Sequence, residues 1–159
     1  MSLLRRLINR LFGVGRKPDA NKGITPELAP ELAQRFVDFT KSIEGIELDY
    51  SIDSLERVDE VIEKMRREGH TVNDLDRVLL VAGCYIGEII TRRHKLRWVK
   101  AEESSYAELP GSAPIVIEYA AGNYTSPIDK VMKRLENGKE DYLPFYYQVL
   151  CKLMKETET

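Results

Sequence analysis

Apolar and polar positions repeat with two different periods along this chain, and the change of period separates predicted helices from predicted strands. Apolar residues spaced three and four positions apart predict five helices at about residues 26–44, 54–68, 74–93, 127–136 and 141–155. Alternating or β-branched segments predict three strands at residues 46–50, 96–100 and 115–119. These strands are too far apart in the chain for a parallel βαβ series. We therefore expect an α+β fold, with four or five helices packed on a small antiparallel three-stranded sheet.

A further short helix is predicted at the N-terminus, where an apolar face opposes a basic one. Its apolar face comprises Leu3, Leu4, Leu7, Ile8, Leu11 and Phe12. Its polar face carries Arg5, Arg6 and Arg10. Two glycines and a stretch of linker composition follow. We therefore divide the chain into an amphipathic helix with its linker, residues 1–22, and one α+β domain, residues 23–159.

The charge of the chain is unevenly distributed. The net charge is −2, but residues 1–22 carry six basic side chains and one acidic side chain, a net +5 that leaves −7 on the remainder. An acidic body argues against nucleic-acid binding, which requires a basic surface. The basic helix is typical of a segment that lies on an anionic membrane surface. It is equally compatible with packing on its own domain, with docking on a partner protein, or with a targeting peptide.

Four carboxylates recur at helical spacing on the second predicted helix of the domain. This acidic stripe consists of Glu56, Asp59, Glu60 and Glu63. It is compatible with a solvated helix face, with docking of a basic partner protein, or with Mg²⁺ binding. Helical nucleotide pyrophosphatases pair Glu-x-x-Glu with a second acidic helix. Here Glu60 and Glu63 supply the first half, but the second half at Glu88 lacks its aspartate.

Glu88 interrupts the most apolar helix of the chain. Because a buried carboxylate is costly unless it is paired, we expect an ion pair with Arg92 one turn later. Trp98 follows at the start of a predicted strand as a large core residue. These three residues are interpreted as structural, with a general acid–base role for Glu88 as the alternative.

The remaining chemistry of the sequence is sparse. We predict that Cys84 and Cys151 are buried thiols and that His70 and His94 are exposed. Neither a zinc site nor a nucleophile–base pair is predicted from these spacings, and no phosphate-binding glycine loop occurs. The sequence therefore predicts no catalytic residue, no metal and no cofactor.

Three groups of residues resemble a family of small bacterial domains of unknown function. They are Leu48-Asp49-Tyr50-Ser51-x-x-Ser54-Leu55; Gly83-x-Tyr85-x-Gly87-Glu88 with Trp98; and Pro127-x-x-Lys130-Val131-x-Lys133-Arg134-x-x-Asn137-Gly138. The resemblance covers about residues 45–150 and leaves the basic helix outside. It implies a related fold and a bacterial origin, and it implies no activity.

Two functions follow as hypotheses. The first is a non-catalytic protein-interaction module with an acidic body, which the basic helix docks to a membrane surface or to a partner protein. An immunity-type inhibitor of a basic toxin is one version of it. The second is a metal-dependent hydrolase that uses Glu60, Glu63 and Glu88. With two cysteines and no long apolar run, we expect a cytoplasmic protein, peripheral to the inner face of the membrane if the helix binds lipid.

Overall fold

The computed structural model describes residues 3–12, 23–109 and 113–158. It contains six α-helices: α1 (Leu3–Phe12), α2 (Ala29–Glu44), α3 (Ser54–Arg67), α4 (Asp76–His94), α5 (Pro127–Asn137) and α6 (Leu143–Thr157). The strands are β1 (Arg97–Lys100), β2 (Ile115–Ala120) and β3 (Asn123–Thr125). Single 3₁₀ turns occur at Pro26–Leu28, Ala101–Glu103 and Gly138–Asp141. The predicted α+β class is confirmed.

The central element is α4, in which every residue from Val78 to Thr91 is buried. A helix that is apolar on all sides must be covered on all sides. In this fold α2 and α5 pack against α4, and Trp98 of β1 reaches it from the sheet. The apolar run in the sequence thus becomes the centre of the hydrophobic core.

The three strands form an antiparallel meander in the order β1-β2-β3. Trp98 is opposite Ile117 in the first pair, and Ile117 is opposite Thr125 in the second. Ile115 and Ile117 belong to the core, so the sheet turns one face towards the helices. The prediction of a small antiparallel sheet of three strands is confirmed.

The identity of the third strand was predicted wrongly. Residues 46–50 have no regular structure, whereas Asn123–Thr125 pairs with β2 after a turn at Gly122. The alternation at 46–50 has another cause: Leu48 is buried under the helices and its neighbours lie outwards in a connecting segment. Tyr50 ends this segment with φ 62° and donates its backbone N–H to the hydroxyl of Tyr85 at 2.9 Å.

Two glycines of α4 permit close approach of other elements. A Cβ at Gly83 would overlap Ile128 at the start of α5, and a Cβ at Gly87 would overlap the indole ring of Trp98. The side chains that cover α4 therefore pack directly on its backbone.

We expect Gly87→Ala to destabilise the domain by about 1–3 kcal/mol, because the methyl group overlaps the Trp98 ring. This cost exceeds the gain of about 1 kcal/mol that alanine brings inside a helix. Urea denaturation measures the free energy of unfolding. The same substitution in a Trp98→Leu background should cost less, and an equal cost in both backgrounds would contradict this account.

Candidate partner-binding face

The acidic stripe on α3 is largely engaged within the domain. Asp59 is buried and accepts hydrogen bonds from Nε and Nη2 of Arg134, at 2.8 and 3.1 Å. Glu63 accepts a third from Nη1 of Arg134 at 2.8 Å. Glu56 accepts a hydrogen bond from the hydroxyl of Tyr142, whose pKa this bond raises to about 12. Glu60 is exposed.

Arg134 is the residue that the sequence interpretation missed. It lies on α5 between Val131 and Leu135, on the face of the helix that is buried in the core, and its side chain is 0% exposed. A cation at a core-facing position requires carboxylates from another element. The acidic stripe was the available counterpart, but helical spacing alone could not show that α5 packs against it.

The same carboxylate also fixes the start of α6. Oδ1 of Asp59 accepts the backbone N–H of Leu143 at 3.0 Å, one of the N–H groups that have no partner within a helix. Asp59 thus connects α3 to α5 through Arg134 and to α6 through the backbone. The stripe is therefore divided: Asp59 and Glu63 are bound to Arg134 within the domain, whereas Glu56 and Glu60 are exposed.

Glu88 forms the predicted pair and a further contact. Its Oε1 accepts from Nε of Arg92 at 3.2 Å, and its Oε2 accepts from the indole N–H of Trp98 at 2.9 Å. The guanidinium of Arg92 also lies 4.0 Å from the centre of the Tyr50 ring. Glu88, Arg92 and Trp98 therefore join α4 to the sheet and to the segment before α3.

The three carboxylates proposed for a hydrolase lie in different environments. Glu63 is bound to Arg134, Glu88 is bound to Trp98 and Arg92, and Glu60 is exposed. Within the part of the chain that the structure describes, no three histidine, cysteine, aspartate or glutamate side chains are grouped so that they could hold a metal ion.

The N-terminal helix α1 packs on the domain. Ile8 is 5% exposed and belongs to the core, and Leu4 is half-buried against it, whereas Arg6 and Arg10 are exposed. This geometry corresponds to the alternative in which the helix packs on its own domain. For Leu3, Arg5, Leu11 and Phe12, also predicted as docking residues, the structure describes the helical backbone and not the side chains. No helix in the described ranges combines the length and the apolar character needed to cross a bilayer.

A cavity of about 450 Å³ lies beside α5. Several of its polar side chains already bond to one another or to nearby groups: Thr125 to Tyr146 at 2.6 Å, Ser126 to Asp129 at 2.8 Å, and Lys130 to Asp141 at 2.6 Å. Lys133 and Glu136 also line the cavity and carry opposite charges, so its lining does not select a ligand of one charge.

The most unusual surface lies on α6. Among the described residues five large hydrophobic side chains are exposed, and three of them share this helix: Phe145 at 57%, Val149 at 39% and Leu153 at 39%. We call these three residues the α6 stripe. Their spacing of four aligns them along about 12 Å of helix. Single exposed apolar residues are normal, whereas an aligned row of them is a candidate contact surface.

One edge of the α6 stripe is basic. Helical spacing places Lys152 and Lys155 along it, and Arg93 lies at the end of α4 near Tyr147 of α6. The same spacing places one exposed carboxylate, Glu156, in line with the stripe, so basic side chains outnumber acidic ones here by three to one. All three basic side chains are exposed, and none forms an ion pair with the residues that the structure describes. The opposite face of α6 holds Leu143, Tyr147 and Leu150 in the core.

Comparisons with protein families, with curated proteins and with solved structures find no match for this chain. The resemblance to small bacterial domains stays a prediction. In the structure the residues that carry it are packing and hydrogen-bonding residues, among them Tyr85, Gly87, Trp98 and Arg134.

We expect Glu63→Gln to weaken the domain at pH 7 and to weaken it less at pH 3. The hydrogen bond from Arg134 holds the pKa of Glu63 below its ordinary value. This carboxylate therefore stabilises the fold above its unfolded-state pKa, and its contribution is lost as the pH falls through the folded-state pKa.

Urea denaturation at the two pH values measures the effect. Glu60→Gln, an exposed position on the same helix, is the matched control and should change little at either pH. An equal loss for Glu63→Gln at both pH values would refute the assigned pairing with Arg134.

Proposed function

We propose that this domain is a non-catalytic protein-interaction module that binds an amphipathic helix of a partner protein on the α6 stripe. The observation that carries the proposal is the concentration of exposed large hydrophobic residues on this one helix. A helix face with apolar residues at regular spacing is a common site for a second helix, which offers its own apolar residues at i, i+3, i+4 and i+7.

The charges beside the stripe favour an acidic partner. Arg93, Lys152 and Lys155 have no carboxylate partner in the described part of the chain. A partner helix with glutamate or aspartate beside its apolar residues would complement them, and a basic helix would be repelled. The acidic stripe of α3 supplies less to such an interface, because Asp59 and Glu63 are bound to Arg134.

Support for a non-catalytic role comes from the state of the candidate carboxylates. Glu63 and Glu88 each accept hydrogen bonds from basic or indole groups that keep them in structural positions. An immunity-type inhibitor, in which the acidic stripe meets a basic toxin, would have to use Glu60 and the exposed rim of α3. The α6 stripe exposes large hydrophobic residues, which α3 does not, and we therefore place the partner interface on α6.

Binding of two designed helical peptides tests the proposal. Both carry leucines at i, i+4 and i+7, and one has glutamates and the other lysines beside them. We expect the glutamate peptide to bind about tenfold more tightly at low salt, a difference of roughly 1.4 kcal/mol. It should shift the amide signals of α6 in a ¹⁵N NMR titration, and Val149→Asp should weaken its binding about tenfold.

Ile52→Asp is the matched control, because Ile52 is β-branched and 39% exposed like Val149 but lies outside α6. It should leave peptide binding unchanged. Equal binding of the two peptides, or shifts confined to other elements, would refute the assigned surface. If the protein alone sediments as a dimer that Val149→Asp dissociates, the occupant is a second copy and not an acidic partner.

We propose for α1 a second role, the docking of the domain on an anionic membrane surface. What favours it is the exposure of Arg6 and Arg10 on a helix from the most basic part of the chain. Basic residues near an anionic bilayer each contribute about 1 kcal/mol of attraction. Lipid insertion of the apolar face would require Ile8 and Leu4 to leave the domain. Localisation at the inner face of the membrane is part of this second proposal.

We expect the full chain to co-sediment with vesicles that contain phosphatidylserine and the chain without residues 1–22 to remain in solution. Arg6→Glu with Arg10→Glu should also abolish sedimentation, because the electrostatic attraction is reversed. Lys152→Glu with Lys155→Glu is the matched charge reversal on α6 and should have no such effect. Sedimentation that survives removal of residues 1–22 would exclude this role for α1.

A further inference from the structure

The structure brings together three side chains that the sequence keeps far apart. Nε2 of His94, at the end of α4, lies 2.8 Å from the hydroxyl of Tyr147 and 3.8 Å from Sγ of Cys151 on α6. His94 and Cys151 are separated by 57 positions in the chain. Sequence spacing gave no reason to expect this contact, because it joins the end of one helix to a helix far along the chain.

The burial of these groups also differs from the sequence prediction. His94 is half-buried and not exposed, and Cys151 is half-buried and not fully enclosed. Burial, together with the charge of Arg93, lowers the pKa of His94. The imidazole is therefore an uncharged base at neutral pH. Burial also raises the pKa of Tyr147 to about 12, so its phenol remains protonated.

We propose that Cys151 is a modification site for small, soft carbon electrophiles, with His94 as the base that takes the thiol proton. A thiol within hydrogen-bond reach of an imidazole is the arrangement that activates cysteine as a nucleophile. This inference does not depend on the proposed partner binding by α6.

The step balances with the groups present. With an alkyl iodide as the electrophile, Sγ of Cys151 attacks the carbon that bears the iodine, and an S–C bond forms as the C–I bond breaks. Iodide leaves with the electron pair, and the thiol proton passes to Nε2 of His94. This requires the histidine tautomer that carries its proton on Nδ1, in which the single lone pair of Nε2 can accept a hydrogen bond from either Tyr147 or Cys151.

The role of Tyr147 distinguishes this pair from a catalytic triad. In a triad the third group bonds to the nitrogen that does not contact the nucleophile. Tyr147 shares Nε2 with Cys151, and no described residue forms a hydrogen bond to Nδ1 of His94. Tyr147 therefore competes with the thiol for the base, and the pair suits stoichiometric modification and not turnover.

Cys84 provides an internal reference in the same molecule. It is 0% exposed in the middle of α4, and burial raises its pKa to about 12. Its thiol is neither accessible nor readily ionised. Alkylation at the two cysteines of one folded sample thus compares an activated thiol with an inert one.

The test is alkylation of the full chain by iodoacetamide at pH 7, with the modified peptides quantified by mass spectrometry. We expect Cys151 to react at least about a hundredfold faster than Cys84. His94→Gln should slow Cys151 about tenfold, a small part of what a general base can supply. Tyr147→Phe should accelerate it, because the competing hydrogen bond to Nε2 is removed.

His70→Gln is the matched control, since His70 is half-buried but contacts neither cysteine in the described structure. It should leave both rates unchanged. Thermal denaturation of each variant verifies that it is folded. If Cys84 becomes reactive in His94→Gln, that variant is replaced by His94→Asn. If Cys151 is alkylated as fast in the folded His94→Gln or His94→Asn variant as in the unchanged protein, exposure alone explains its reactivity and the proposal fails.

Discussion

The arrangement of the C-terminal half depends on one buried cation. Arg134 is completely enclosed, and such a charge persists in a core only when carboxylates surround it. Asp59 and Glu63 supply them from α3, and Asp59 also accepts the first backbone N–H of α6. This network fixes α3, α5 and α6 relative to one another. It thereby determines which face of α6 enters the core and which face bears the exposed apolar residues.

A second polar contact has a similar role on the other side of the core. Glu88 is buried in α4 and accepts hydrogen bonds from Trp98 and Arg92. Because Gly87 has no side chain, the indole ring packs directly on the helix backbone. One hydrogen bond and one close contact of Trp98 thus add to the apolar packing that holds the sheet against the most buried helix. Glu63 and Glu88, which the sequence offered as candidates for catalysis, instead connect helices and sheet in this fold.

The same packing produces the two surfaces on which our proposals rest. With Leu143, Tyr147 and Leu150 in the core, helical geometry leaves Phe145, Val149 and Leu153 exposed. It also brings Cys151 to the end of α4, within reach of His94. The proposed partner-binding surface and the proposed reactive thiol therefore lie on two neighbouring edges of one helix, and both positions follow from how α6 packs on α3 and α5.

The helices, the α+β class, the burial of α4 and the pair between Glu88 and Arg92 were predictable from the sequence, because they depend on residues close together in the chain. The third strand was misplaced, since apolar alternation at 46–50 reports burial and not strand pairing. The partners of the acidic stripe, the contact of His94 with Cys151 and the exposed face of α6 became visible in the folded chain alone. Each of these joins elements that are distant in sequence, and local periodicity carries no information about which helices become neighbours.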